Sequence, residues 1–521
     1  MLRLRAEMSA WIKQSLPLQR RIPWTGGHDE GTFLSAWFGY YVLTGEERTA
    51  EFLRWMRDGW LAWADKNLVH GYYPRGEVHH QPETFLIFLT RMLHLDPKHE
   101  PTLRAMDHLA HHVGNWVEGV PEWYDWQRRR FRSYWLGVEV VREEPPYDCE
   151  IADHIRLAEI LLATYLANGD KRYLDFCRQY ADKWCDEILA KGGRVPGVLF
   201  PTQDAKKIMA EYVRPSGQPP VPGAARAWDG NPSAGVEMHV AACSMDFLMD
   251  MFLLTEQERY IAAVKKMMPH VIEAIADPYS EPPGSLYSRY RKITGDTFLD
   301  ERAMELRGAM PEVESPRSQL MIADTMDLPH PMGIGRRRDD LRWGYRKADG
   351  TMVEETGPSA GSLFLAWQIT GEEEYLARAL GRAADRIALA RRHLVDGRHH
   401  GCAGATISAV ASGHGRCPGI GCVTATLYPA ALGAFRFCNA ESPEVRYFCN
   451  GKLGLPEGVA AARLPGDLRL ALCNTGEAPV EVEICLEPDS PGLHGLARPA
   501  DGVRVLAKIP AAQTTVWRIE G

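Results

Sequence analysis

The chain of 521 residues is long enough for one large domain and a small one, with 45% hydrophobic and 25% charged residues. Its net charge is −8 and no basic run exceeds Arg336-Arg337-Arg338, which argues against a nucleic-acid footprint and against attraction to an anionic membrane surface. No segment has the ~18 uninterrupted apolar residues of a membrane span, and Met1–Met8 places Arg and Glu where a signal peptide needs an apolar run.

Helical periodicity dominates from about residue 30 to about residue 440, and the helices pair through short turns. In chain order the turns are Tyr41-Val-Leu-Thr-Gly-Glu-Glu-Arg48, Leu93-His-Leu-Asp-Pro-Lys-His-Glu100 and Tyr165-Leu-Ala-Asn-Gly-Asp-Lys-Arg-Tyr173. Leu254-Thr-Glu-Gln-Glu-Arg-Tyr260, Ile293-Thr-Gly-Asp-Thr-Phe298 and Ile369-Thr-Gly-Glu-Glu-Glu-Tyr375 follow. Gly or Asn ends the first helix in the left-handed conformation, and Thr, Asp or Glu caps the second. Connections this short force antiparallel pairs. Six pairs, with a last helix near Val423–Phe437, suffice to close a ring; long Gly- and Pro-rich insertions at 191–232 and 310–358 break any strict solenoid period.

After about Ser442 the period changes to two. Leu468–Cys473, Val480–Cys485, Val503–Ile509 and Thr514–Ile519 read as strands, the first two joined by Asn474-Thr-Gly-Glu-Ala-Pro479. The expected fold is therefore mainly α: an (α/α)6-type helical toroid over 1–441, with a small antiparallel β-sandwich over 442–521.

With the Thr-Gly turns on one rim, the loops entering each first helix lie on the other, and these carry the ionisable and aromatic groups. They include Trp24, His28 and Asp29, then His79, His80 and Glu83, then Asp148, Glu150, Asp153 and His154. Trp228, Asp229 and Asn231 precede Glu237 and His239, and Glu355 and the pair His399-His400 complete the set. Helix capping alone would select many of the carboxylates, but not the histidines or Trp24 and Trp228. Helix N-termini converging on this rim would favour an anionic substrate or a developing negative charge.

Within the rim, Asp148, Glu150 and Glu237 are the acid/base candidates, with His80 and His239 holding or polarising the substrate. Asp148 and Glu150 are expected nearer the mouth, whereas Asp153 or His154 would pair internally. Paired carboxylates serve glycoside hydrolysis; a His or Tyr base with a neutralised uronate would serve β-elimination. Arg338 and its neighbours, with Tyr345, are candidate uronate contacts or a solvated loop. Trp123–Trp126 and Tyr134-Trp135 read as sugar-stacking platforms or as packing of their insertion. His399, Cys402, His414, Cys417 and Cys422 form a soft-ligand cluster able to hold zinc, although the spacing matches no zinc-finger pattern and no cofactor is required. The Gly413–Gly421 run lacks the strand-before-helix setting of a dinucleotide fold.

The Thr-Gly-(Asp/Glu)-x-x-Tyr turns, such as Thr370-Gly371-Glu372 with Tyr375, make most of the chain resemble the α/α-toroid carbohydrate enzymes, namely the six-hairpin glycosidases and toroid polysaccharide lyases. Tyr147-Asp148-Cys149 and Cys417–Cys422 are only loosely similar to the Glu-x-Cys and Cys-Cys elements of the zinc-cysteine β-L-arabinofuranosidases, so no catalytic residue is carried over. The resemblance implies cleavage of glycosidic bonds in uronic-acid-containing oligo- or polysaccharides. Hydrolysis is the first reading and elimination the alternative; a non-catalytic toroid binding a glycan or protein is the reading from another class. The long rim insertions also offer dimer contacts. Eleven scattered cysteines, several within helix or strand patterns, suggest reduced core residues and a cytoplasmic protein, although a chain trimmed of its leader would read the same.

Overall fold

The computed structural model describes residues 2–19, 37, 40–41, 44–76, 78, 88–145, 147–195, 198–199, 201, 239–240, 242–273, 282–308, 344–346, 352–354, 360–381, 384, 445–464, 469–486 and 503–518. Helix predominates before residue 384, and longer strands begin at 445. The helices are α1 (Leu2–Gln19), α2 (Glu47–Asn67), α3 (Thr90–Leu95), α4 (Glu100–Val113), α5 (Ile155–Asn168), α6 (Lys171–Ala190), α7 (Ser244–Thr255), α8 (Glu258–Ile272), α9 (Pro282–Thr294), α10 (Asp300–Gly308) and α11 (Ala360–Thr370). Among the described residues no helix is long and apolar enough to cross a membrane.

Each expected turn joins two helices, and the bonding explains why the motif recurs. Thr44 Oγ1 donates to Tyr40 O at 2.8 Å and accepts from Glu46 N–H, while Gly45 takes φ +62° and its N–H reaches Tyr41 O. Thr294 and Thr370 repeat this with Gly295 and Gly371. Asn168 and Gly169 are a variant in which Asp170 caps α6. The turn after α7 has Glu256 in the left-handed position at φ +57°. At Leu95–His99 there is no glycine; Asp96 is instead clamped by Arg54 and Arg57 of α2, at 3.1 and 2.5 Å.

Consecutive hairpins pack side by side, two helices deep. The first helices, α5 and α7, are buried almost all round over Ile155–Thr164 and Ser244–Met251, as expected for an inner layer. The second helices, α6 and α8, bury one stripe, including Tyr173, Phe176, Tyr180 and Trp184 in α6. Neighbours are held by side chains crossing the gap: Tyr173 Oη bonds Asp107 of α4 at 2.6 Å, and Arg259 of α8 bonds Asp186 of α6 at 2.6 Å.

Three short antiparallel strand pairs accompany the helices: β1 (Tyr124–Asp125) with β2 (Arg130–Phe131), β3 (Glu150–Ile151) with β4 (Val198–Leu199) on the far side of α5 and α6 in the chain, and β5 (Gly344–Arg346) with β6 (Met352–Glu354). The C-terminal part contains β7 (Val445–Cys449), β8 (Lys452–Leu453), β9 (Val459–Leu464), β10 (Arg469–Asn474), β11 (Val480–Leu486), β12 (Val503–Ile509) and β13 (Gln513–Arg518). They form two antiparallel sheets ordered β13-β10-β9 and β12-β11-β7-β8. Alternate residues Leu470, Leu472, Val482, Ile484, Ala507 and Ile509 are buried. The expected strands are thus present, with β7, β8 and β9 added before them.

The strands share one apolar core with the helices, reaching from Leu4, Met8 and Trp11 to Tyr447, Leu455 and Val459. Arg5 of α1 donates to Pro456 O and Val459 O at 2.7 and 3.0 Å. A Cβ on Gly45 would lie 1.3 Å from Leu453 O, so the first hairpin turn touches the β8–β9 connection backbone to backbone. The expected last helix, 423–437, lies outside the described residues.

Candidate functional site

Of the loops expected to form the entering rim, residues 147–154 ahead of α5 and 239–240 and 242–243 ahead of α7 are among those described. The first is fixed by Ser133, whose Oγ bonds Arg142 O at 2.6 Å and Tyr147 O at 2.9 Å. His154 locks the same region from below. Its Nδ1 accepts from Ile151 N–H and its Nε2 reaches Ser133 O at 2.8 Å, while the ring packs on Phe131. Burial holds this imidazole below the usual histidine range. It was expected either to contact substrate or to pair internally; with both nitrogens committed to backbone it does the second and is a pin.

Asp148 and Glu150, two residues apart, end in opposite settings. Asp148 is half-buried, and burial pushes its carboxyl above the usual aspartate range, with Arg130 opposing and Glu144 reinforcing the shift. Glu150 is fully buried. Its Oε1 accepts from Tyr180 Oη at 2.7 Å and its Oε2 pairs with Lys183 Nζ. Burial lowers the Lys183 ammonium, and Glu150 works against that fall. Glu150 was expected at the mouth as an acid/base group. The geometry corrects this, because both oxygens face protein donors and neither faces solvent.

His239 is buried, with Nδ1 2.8 Å from Ser244 Oγ and its ring set edge-on to Trp184 at 4.6 Å. Lys183 Nζ stands 4.9 Å from the same indole. The structure therefore brings Glu150 and His239 together across Lys183 and Trp184 of α6, although they are far apart in sequence. Between His239 and α7, Cys243 adopts φ +63° and its buried thiol is pushed well above the usual range. A non-glycine residue in this conformation stores strain where the loop enters the helix.

Beneath these loops runs a buried charged group of which sequence reasoning named only Asp153. Asp153 pairs with Arg156 at 2.7 Å, and Arg289 of α9 binds Asp246 at 2.8 Å and also Asp250, all of them buried. Glu159 lies among them, its carboxyl pushed well above the usual range by burial and then by Asp246 and Asp250. The available signal was charge at helical spacing inside apolar helices: Arg156 with Glu159, and Asp246 with Asp250. Tyr180, Lys183 and Arg130 were missed as well, since only the fold places them beside the rim.

The aromatic runs are mainly core. Trp123, Tyr124 and Tyr134 are buried, whereas Trp126 is partly exposed. Tyr345 lies in β5 opposite Val353. Trp24, His28, Asp29, His79, His80, Glu83, Trp228, Asp229, Asn231, Glu237, Arg338, Glu355 and His400 lie outside the described residues, as do the zinc candidates His399, Cys402, His414, Cys417 and Cys422. Among the described residues no group of three metal-binding side chains occurs, and the cysteines are free thiols.

No protein-family model and no curated protein matches the chain. Among solved structures, the crystal structure of a D-mannose isomerase overlaps 83% of this chain and 97% of its own, at 10% identity and a TM-score of 0.39. An overlap that loose decides neither fold nor activity here.

Proposed function

We propose that the chain is a carbohydrate-active enzyme whose helical hairpins close into a six-membered ring, and that it cleaves glycosidic bonds in uronic-acid-containing glycans by acid/base hydrolysis. The observation that carries this reading is the half-buried Asp148, a carboxyl biased toward its protonated form on a loop entering an inner helix. Such a group can deliver a proton to a leaving glycosidic oxygen. Hydrolysis needs a second carboxylate, and Glu237 is assigned that role. The edge-on packing of His239 against Trp184 supports this, because it holds a residue two positions after Glu237 at α6 beside Lys183. Glu150, Lys183 and His154 then hold the Asp148 loop rather than touch substrate.

The test is incubation of the protein and its Asp148→Asn variant with a panel of uronic-acid glycans. New reducing ends without ultraviolet absorbance, lost in the variant, are the expected result. An unsaturated absorbing product would replace hydrolysis by elimination. Glycans bound but unchanged, or free sugars merely interconverted, would overturn bond cleavage altogether.

A further inference from the structure

Beside Asp148, the β1–β2 hairpin and α6 enclose a cavity of about 280 Å³ lined by Arg128, Arg129, Arg130, Lys183, Asp186 and Glu187, with Leu199 of β4 as an apolar wall. Four cations and two anions would ordinarily leave a modest field, but the anions are already occupied. Asp186 is bound by Arg259 at 2.6 Å and by Arg129 at 3.3 Å, and Glu187 by Lys191 at 2.5 Å. Lys183 is spent on Glu150, and Arg128 lies 3.7 Å from Asp125. Arg130 is different. It is half-buried, and among the described residues its guanidinium has no hydrogen bond or ion pair, although Asp148 and Glu150 are near enough to act on its charge. Withdrawing a guanidinium from water without pairing it is costly, and a bound anion relieves that cost.

We infer that this cavity binds the anionic group of a sugar ligand (a carboxylate, sulfate ester or phosphate ester) with Arg130 as its main contact. The inference rests on the glycan reading of the adjoining rim and adds a residue that recognises the charge. A planar guanidinium suits a two-oxygen contact with such a group, which a lysine cannot reproduce. The position has a chemical consequence. Arg130 draws the Asp148 carboxyl toward ionisation, so an anion neutralising Arg130 leaves Asp148 more firmly protonated when substrate is in place.

Calorimetric titration of the full chain with glucuronate, glucose 6-sulfate, glucose 6-phosphate and glucose tests the assignment, without requiring turnover. At least one anionic sugar should bind ten-fold or more tightly than glucose, and the preferred one identifies the group. Arg130→Gln should erase that preference, Arg130→Lys should retain part of it, and Arg104→Gln, at an exposed α4 position outside the cavity, should leave it within about two-fold. Thermal melting of each variant reports folding, and Arg130→Lys serves if the glutamine variant does not fold. Equal binding of anionic and neutral sugars, no binding of any of them, or an unchanged preference in both Arg130 variants overturns the inference. An anion preference that depends on Arg130 in a protein that cleaves no glycan would sustain this site and sink the proposed reaction.

Discussion

Asp148 and Glu150 show how little a carboxylate's chemistry depends on its own neighbours in sequence. Both sit in Tyr147-Asp148-Cys149-Glu150, yet one keeps access to water and the other is sealed against Tyr180 and Lys183. Replacing Asp148 by Asn should lower kcat/KM on a cleaved glycan by about 100- to 10,000-fold, the usual range for a general acid. Asp148 must be protonated to act, so the wild-type rate should fall as pH rises through its elevated pKa, and that alkaline limb should vanish in the variant. Lys183→Met leaves a buried, unpaired Glu150 and should cost about 3–5 kcal/mol in urea denaturation. Adding Glu150→Gln should restore much of that loss, because the stranded charge is gone. That the loop ahead of α5 carries several acids is plain in the sequence; which of them stays wet is not, since Tyr180 and Lys183 lie thirty and thirty-three residues beyond Glu150.

The hairpin turns were the most legible elements because their chemistry is local. A threonine bonding the carbonyl four residues back, a left-handed glycine and an acidic cap all fall within one short stretch. The turn after α7 breaks the rule with Glu256 at φ +57°, a conformation that glycine adopts without penalty. Glu256→Gly should therefore stabilise the protein by about 0.5–1 kcal/mol, read as a higher urea midpoint at unchanged slope. Gly45→Ala should do the reverse, since its Cβ would enter the Leu453 carbonyl as well as strain the turn. A loss of several kcal/mol is expected, well above the ~1 kcal/mol of a strained turn alone. Nothing near Gly45 in sequence announces that contact. Alternation made the later strands readable, but the docking of β8 and β9 on α1 is long-range and left no periodic trace.

At the scale of the molecule, two buried groups pull stability in opposite directions with pH. Glu159 has a folded pKa raised by burial, so its contribution is complete below the ordinary glutamate range and is lost as pH rises. His112 is held down to about 3 by burial, so its contribution is present above the ordinary histidine range and is lost as pH falls toward that value. Melting curves across pH should show Glu159→Gln gaining on the wild type as pH climbs above about 4.5, and His112→Phe gaining as pH drops below about 6.5. Parallel curves in either case would remove that group from the balance.

The bonds from Arg5 to Pro456 and Val459 also set a clock. They join positions 451 and 454 residues apart, whereas the hairpins between them meet mostly in sequence order. At about 5–20 residues per second a ribosome needs roughly 20–90 s to deliver those partners after Arg5 is made. For that interval the face of α1 that β8 and β9 will cover has to be shielded by something other than its final partner. A nascent chain stalled before residue 445 should consequently hold more chaperone at α1 than one stalled after residue 518.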